Sequence, residues 1–149
     1  MADEKDFAWS DMFLLGYAPM DDVHREFVDI VSALLKAPDA EIAAHLESFV
    51  KHAESHFEKE RDWMEKTEFP ARGCHVDEHE AVMKSVRDVQ GIVAAGNFDE
   101  ARSLAKALRD WFPGHADYMD SALAHWMSKR NYGGKPVVVR RNVLGATQD

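Results

Sequence analysis

Apolar side chains recur at steps of three and four along most of the chain, and proline, glycine and asparagine fall at the breaks between these runs. That period puts each set on one helix face. A first helix is predicted from a cap at Asp21 or Asp22 to about Lys36, with a stripe of His24, Phe27/Val28, Val31 and Leu34/Leu35. Ala37-Pro38-Asp39 is a turn, and a second helix runs from about Ala40 to Lys66 with Ile42, Leu46, Phe49, Ala53, His56, Glu60 and Trp63/Met64 in line. After a break at Phe69–Gly73, a third helix covers roughly 74–95, presents His75, His79, Val82, Val86, Val89 and Val93, and ends at a Gly96-Asn97 cap. A fourth, from near Asp99 to about Arg130, carries Ala101, Leu104, Leu108, Trp111/Phe112, His115 and Met119 and is interrupted by Pro113-Gly114.

Four helices with short connections favour antiparallel neighbours, so the expected fold is all-α: an up-down-up-down four-helix bundle over residues 21–131. Residues 1–20 read as an irregular N-terminal arm with Phe7, Trp9, Phe13 and Tyr17, broken at Gly16 and Pro19. Residues 132–149 read as a C-terminal tail whose PVVVRRN run is β-like and either packs on the bundle or lies free.

The polar residues in these stripes change the picture. Each helix aims at least one histidine at the interior, and the second adds a glutamate. A single inward histidine is ordinarily a hydrogen-bonded core residue. Four helices doing the same is different, because buried ionisable groups cost several kcal/mol unless paired or metal-bound. His56/Glu60 and His75/His79 are four residues apart, so each pair projects side by side. Imidazoles with carboxylates suit iron, copper, zinc or nickel, and the donors are too many for one tetrahedral zinc. They fit two octahedral-type ions bridged by carboxylates.

The set His24 in DDVHREF, His56 and Glu60 in HFEKE, His75 and His79 in HVDEH, and His115 and Asp120 in HADYMD resembles the hemerythrin pattern over about residues 9–130. It is most similar to that of the single-domain bacterial members. The resemblance implies a non-haem di-iron centre that binds O2 reversibly, as a carrier or store rather than an enzyme. In that pattern His75, His79 and His115 hold one iron and His24 and His56 the other. Glu60 and Asp120 bridge them beside an oxo or hydroxo group, and O2 takes the open position on the second iron. Phe27, Phe57, Trp111 and Phe112 neighbour these residues in sequence and are candidate O2-pocket walls; each is equally a candidate for ordinary core. An O2-consuming enzyme or a reductase is the expected partner. The same centre could instead serve redox turnover, O2 or nitric oxide sensing, or iron buffering.

His115 and Asp120 are five apart, about 140° around an ideal helix. To share a site, either Asp120 reaches sideways or the helix widens locally, which predicts a π-type bulge or other irregularity near 115–120. Pro113-Gly114 predicts a kink just before it. His52, four before His56, is expected to be solvated or to stand behind the metal-facing residues, with an extra inner-face ligand as the alternative, and His45 and His125 to be partly exposed. Glu78 and Asp117 are expected off the inner faces, Tyr118 at the pocket or against a neighbouring helix, and Cys74 as a structural residue.

Other classes fare worse. HVDEH matches the H-x-x-E-H zinc-peptidase signature, with Glu78 as base, but leaves five aligned residues unexplained. A ferritin-like site needs Glu-x-x-His, which the chain lacks. The net charge of -9 argues against nucleic acid and anionic membrane as main partners. An acidic start without an apolar run predicts no signal peptide, no run approaches the ~18 apolar residues of a membrane span, and one cysteine fits a reducing cytoplasm. A monomer is expected.

Overall fold

The computed structural model describes residues 7–140. Its helices are α1 (Ala18–Lys36), α2 (Asp39–Lys66), α3 (Arg72–Ala94), α4 (Asp99–His115) and α5 (Ser121–Tyr132), with a π-helical segment, Ala116–Asp120, joining the last two into one rod. α1 packs on α2, α2 on α3, α3 on α4 and α4 on α1, which closes a four-membered ring. Pro38 and its neighbour Ala37 alone separate α1 from α2, so those helices must run antiparallel. The fold is the expected all-α bundle. No helix among the described residues is long and apolar enough to cross a membrane.

The helix ends follow local chemistry, with some departures from expectation. α1 begins at Ala18, ahead of the expected aspartate cap. Pro19 sits in the first turn, where its missing N–H costs nothing. Asp21 turns back instead, accepting from the Leu15 and Gly16 amides at 2.8 and 3.0 Å. α3 begins at Arg72, two residues earlier than expected. It ends where Gly96 takes a left-handed φ of 103°, the geometry a glycine just past a helix accepts without strain. Pro113-Gly114 do not interrupt the fourth rod: both lie inside α4. Their positions are exposed, so the ring meets solvent, and the irregularity comes after them, as the π segment.

The arm and the tail fold onto each other. Ser10 caps a short 3₁₀ turn, Asp11–Phe13. The described part of the tail packs rather than lying free. Pro136 and Val138 press against Gly16, where an added Cβ would come within 2.6 Å of Pro136 Cβ. The Arg140 guanidinium donates to the carbonyls of Asp11 and Leu14. The last part of the expected tail, residues 141–149, lies outside the described residues, as do 1–6 of the arm.

The core is divided in two. One cluster gathers Phe27, Val31, Leu34, Ile42, Phe49, Val86, Leu108 and Phe112; a smaller one, at the opposite end, gathers Met20, Met64, Phe69, Leu123 and Met127. Along three rods an inward polar residue falls between them: His24 between Met20 and Phe27, Glu60 between Phe57 and Met64, Asp120 between Phe112 and Leu123. Sequence spacing thus stacks one polar layer across the bundle, sealed above and below by hydrocarbon.

Candidate metal centre

Seven side chains make up that layer: His24, His56, Glu60, His75, His79, His115 and Asp120, each 5% exposed or less. The π segment sets the geometry of the last two. A π turn closes one residue later than an α turn, so residues five apart stand where residues four apart would otherwise stand. Asp120 therefore shares His115's face, at 3.2 Å from its Nε2. The widened turn expected from the spacing is present at Ala116–Asp120.

The donors fall into two groups. Glu60, His75, His79, His115 and Asp120 have ligating atoms mutually within 4.8 Å, and so do His24, His56 and Glu60. Each carboxylate reaches both groups. Glu60 turns Oε2 to His56 Nε2 at 2.9 Å and Oε1 to His75 and His79 at 3.3 and 3.5 Å. Asp120 turns Oδ2 to His24 Nε2 at 3.1 Å and Oδ1 to His75 Nε2 at 3.0 Å.

These contacts are close, yet many of the atoms lack hydrogen-bonding geometry. Both ring nitrogens of His24 and His75, Glu60 Oε1 and both Asp120 oxygens are buried without a hydrogen-bond partner. Buried polar atoms left unpaired cost free energy, and native cores rarely keep so many together. Lone-pair donors that crowd one another without bonding are aimed at the space between them. A divalent cation there would satisfy imidazoles and carboxylates at once. The donor set fits a metal centre.

The electrostatics agree. Burial and Asp120 push Glu60 up, but His56 and His24 overcome both and hold its carboxyl well below the usual range. Burial pushes Asp120 up, and His24, His115 and His75 hold it well below. Burial pushes His24 and His75 down, but the two carboxylates raise them to about 10 and about 9. Burial wins at His79, which drops to about 3. One layer therefore holds anionic carboxylates surrounded by imidazoles, and a cation can replace the protons.

Aromatic rings wall the layer. Phe57 stacks on His79 at 3.9 Å, and Trp111 stacks on His115 at 4.3 Å. Phe112 meets His24 edge-on at 5.2 Å and stacks on Phe27, which contacts His56. The arm backs this wall, with Phe7 and Phe13 edge-on to Phe112.

Some residues stand apart from expectation. Glu78, expected off the inner face, reaches across to α4: its Oε1 lies 2.6 Å from His115 Nδ1 and accepts from Trp111 Nε1 at 3.1 Å. Burial pushes His115 down, but Asp120 and Glu78 raise it. So Glu78 braces a member of the cluster, which does not suit it to be a peptidase's base. Its signal was its place three residues after His75 and one before His79, where a long side chain can skirt the helix. His52 is buried behind His56, hydrogen-bonded to it at 3.3 Å, and burial with His56 lowers it to about 4. Tyr118 is 84% exposed and lines nothing, and Cys74 is exposed rather than packed. Asp117 and His125 are exposed and His45 is half-buried.

Comparison with known proteins points the same way. The model of the hemerythrin HHE cation-binding domain matches residues 15–127. The chain is 35% identical over 122 residues to the bacteriohemerythrin of Ralstonia nicotianae, a match spanning 82% of this chain and 89% of that one. It is 26% identical over 110 residues to the bacteriohemerythrin of Methylococcus capsulatus, a match spanning 71% and 82%. No solved structure matches it significantly. With a cation-binding family model over most of its length and a buried donor cluster able to hold metal, the chain belongs to the hemerythrin family.

Proposed function

We propose that the protein binds O2 reversibly, as a carrier or store, at a non-haem di-iron centre. His75, His79 and His115 would hold one iron, His24 and His56 the other, and Glu60 and Asp120 would reach both. The observation that supports this most is the pair of carboxylates, each sending one oxygen to either histidine group across a layer of unpaired buried atoms. Three histidines stand on one side and two on the other, so an ion held by His24 and His56 would have fewer protein donors and room for a small ligand. When bound, a ferrous pair would supply the electrons for reversible O2 binding.

The chain's own residues favour holding over turnover. Phe27 and Phe112 cover the two-histidine side, and Phe57 and Trp111 stack on the three-histidine side. Such walls keep out the water and protons that would turn a reversible adduct into a released product.

The test is an optical O2 titration of the anaerobically reduced, iron-loaded protein, followed by removal of O2. A visible charge-transfer band that comes with O2 and goes on its removal is the expected result. A band that decays to a stable diferric form would replace reversible binding by oxidase or sensor chemistry. No O2-dependent band would overturn the open-site reading.

A further inference from the structure

Of the cluster's imidazoles, His56 is held from behind by a chain that runs to the surface. His52 Nε2 lies 3.3 Å from His56 Nδ1, and His52 Nδ1 lies 3.1 Å from Glu26 Oε1. The His52 side chain is 2% exposed and that of Glu26 64%. By contrast, the Nδ1 atoms of His24 and His75 are buried with no hydrogen-bond partner. A histidine four residues before His56 on the same face is thus too far back to join the cluster, yet placed to control it.

The direction of the hydrogen bonds follows from the end of the chain. A carboxylate can only accept. Glu26 therefore takes the hydrogen of His52 Nδ1, which leaves Nε2 of the neutral ring as an acceptor. His56 Nδ1 then donates to it, so the proton that a cation would displace is the one His56 Nε2 shares with Glu60 Oε2 at 2.9 Å. In the opposite arrangement His56 Nδ1 would accept, but the bare Nδ1 of His52 would face the Glu26 carboxylate. Glu26 thus selects the tautomer in which His56 Nε2, once that proton is displaced, and Glu60 both point lone pairs at one space, which a cation resolves.

We infer that Glu26 and His52 are positioning residues, which fix the tautomer and ring orientation of His56 for metal binding. The inference rests on the reading of His56 as a metal-binding residue. Partners behind a metal-bound histidine raise its basicity and hold its ring, and their loss typically costs ~10–100-fold in metal affinity.

The test uses the full chain loaded anaerobically with ferrous iron, and separately with cobalt(II). Three variants serve: His52→Phe, Glu26→Ala and Glu26→Gln. Iron release to an excess of ferrous chelator should accelerate ~10-fold or more in His52→Phe. It should accelerate in the same direction in Glu26→Ala. Glu26→Gln should return toward the unmodified rate, since its amide oxygen still accepts from His52. The cobalt(II) ligand-field spectrum should shift in the first two variants and not in the third. Glu26 is exposed and reaches the centre only through His52, so its effect survives as a test even if His52→Phe folds poorly. Unchanged release and spectrum in Glu26→Ala and His52→Phe would overturn the inference. So would a His52→Phe effect that Glu26 changes never reproduce, which would mark His52 as packing alone. If the unmodified chain takes up neither metal, the metal-centre reading itself falls, and this one with it.

Discussion

Glu60 belongs to both donor groups, with one oxygen turned to each. Removing its carboxylate takes a donor from both sides at once, whereas removing any one histidine strips only its own side. Glu60→Ala should therefore lose bound iron while the bundle persists, because the apolar clusters above and below do not depend on it. Full iron content in that variant, by metal analysis, would sink the role given to Glu60. The protons of the layer carry a second prediction. Burial lowers His24 and His75, but Asp120 and Glu60 raise them to about 10 and about 9, above an unfolded value of about 6.5. Their protonated forms thus stabilise the metal-free fold fully below about pH 6.5, and that contribution is lost as pH rises through about 9 to 10. Metal must displace those protons, so affinity runs the other way. Between pH 6 and 8, chelator competition should show iron binding tightening by ~100-fold per pH unit or more, the slope for the two protons of His24 and His75 with His115, also raised, adding to it. A flat profile would mean that neither histidine loses a proton to the metal.

At the level of elements, the π segment carries the sharpest consequence. It lets His115 and Asp120, five apart, share a face as residues four apart do in an α-helix. Deleting exposed Asp117 should convert the rod to a continuous α-helix and keep Asp120 in the layer, with iron retained. Inserting an alanine after Asp117 should turn Asp120 away by ~100°, carry Leu123 and Met127 out of their cluster, and abolish iron binding. Iron content and melting of both variants check this; equal loss in the two would show that the register argument is wrong. The same segment shows what could be read from the residues. The spacing of five pointed to an irregularity at 115–120, a widened turn or a sideways reach by Asp120, and the 3.6-residue stripes announced the four rods. What escaped was what one rod does to another. Glu78 looked outward on its own helix, and only the placement of α4 brings His115 and Trp111 to it. Pro113 looked like a break, yet it lies inside α4 with its ring toward solvent and the helix continues through it. Pro19 looked like a stop and proved to be in a first turn, because Asp21 found partners in the arm rather than at the helix end.

In the whole molecule, a polar layer of seven ionisable side chains separates two hydrocarbon clusters, while arm and tail clamp across the end of α1. Such a layer weakens a bundle left to itself. Each buried ion costs several kcal/mol of lost hydration, and its neighbours restore only part of that when many atoms stay unpaired. A metal held there would turn the same layer into a junction between all the helices, because every rod contributes to it: His24 from α1, His56 and Glu60 from α2, His75 and His79 from α3, His115 and Asp120 from the last rod. Any ligand that binds only the folded chain stabilises it by RT ln(1 + [L]/Kd), which is ~2.7 kcal/mol at a hundredfold excess over Kd. For a chain of this size ~1 kcal/mol moves the melting midpoint by ~3 °C. Chelating the iron should therefore lower Tm by ~8 °C or more, while far-UV circular dichroism at 25 °C stays helical because both apolar clusters survive. Restoring ferrous iron under anaerobic conditions should return the midpoint. If the layer were only a hydrogen-bonded core, chelation would leave Tm where it was, and the melt of the stripped protein against the loaded one decides between the two.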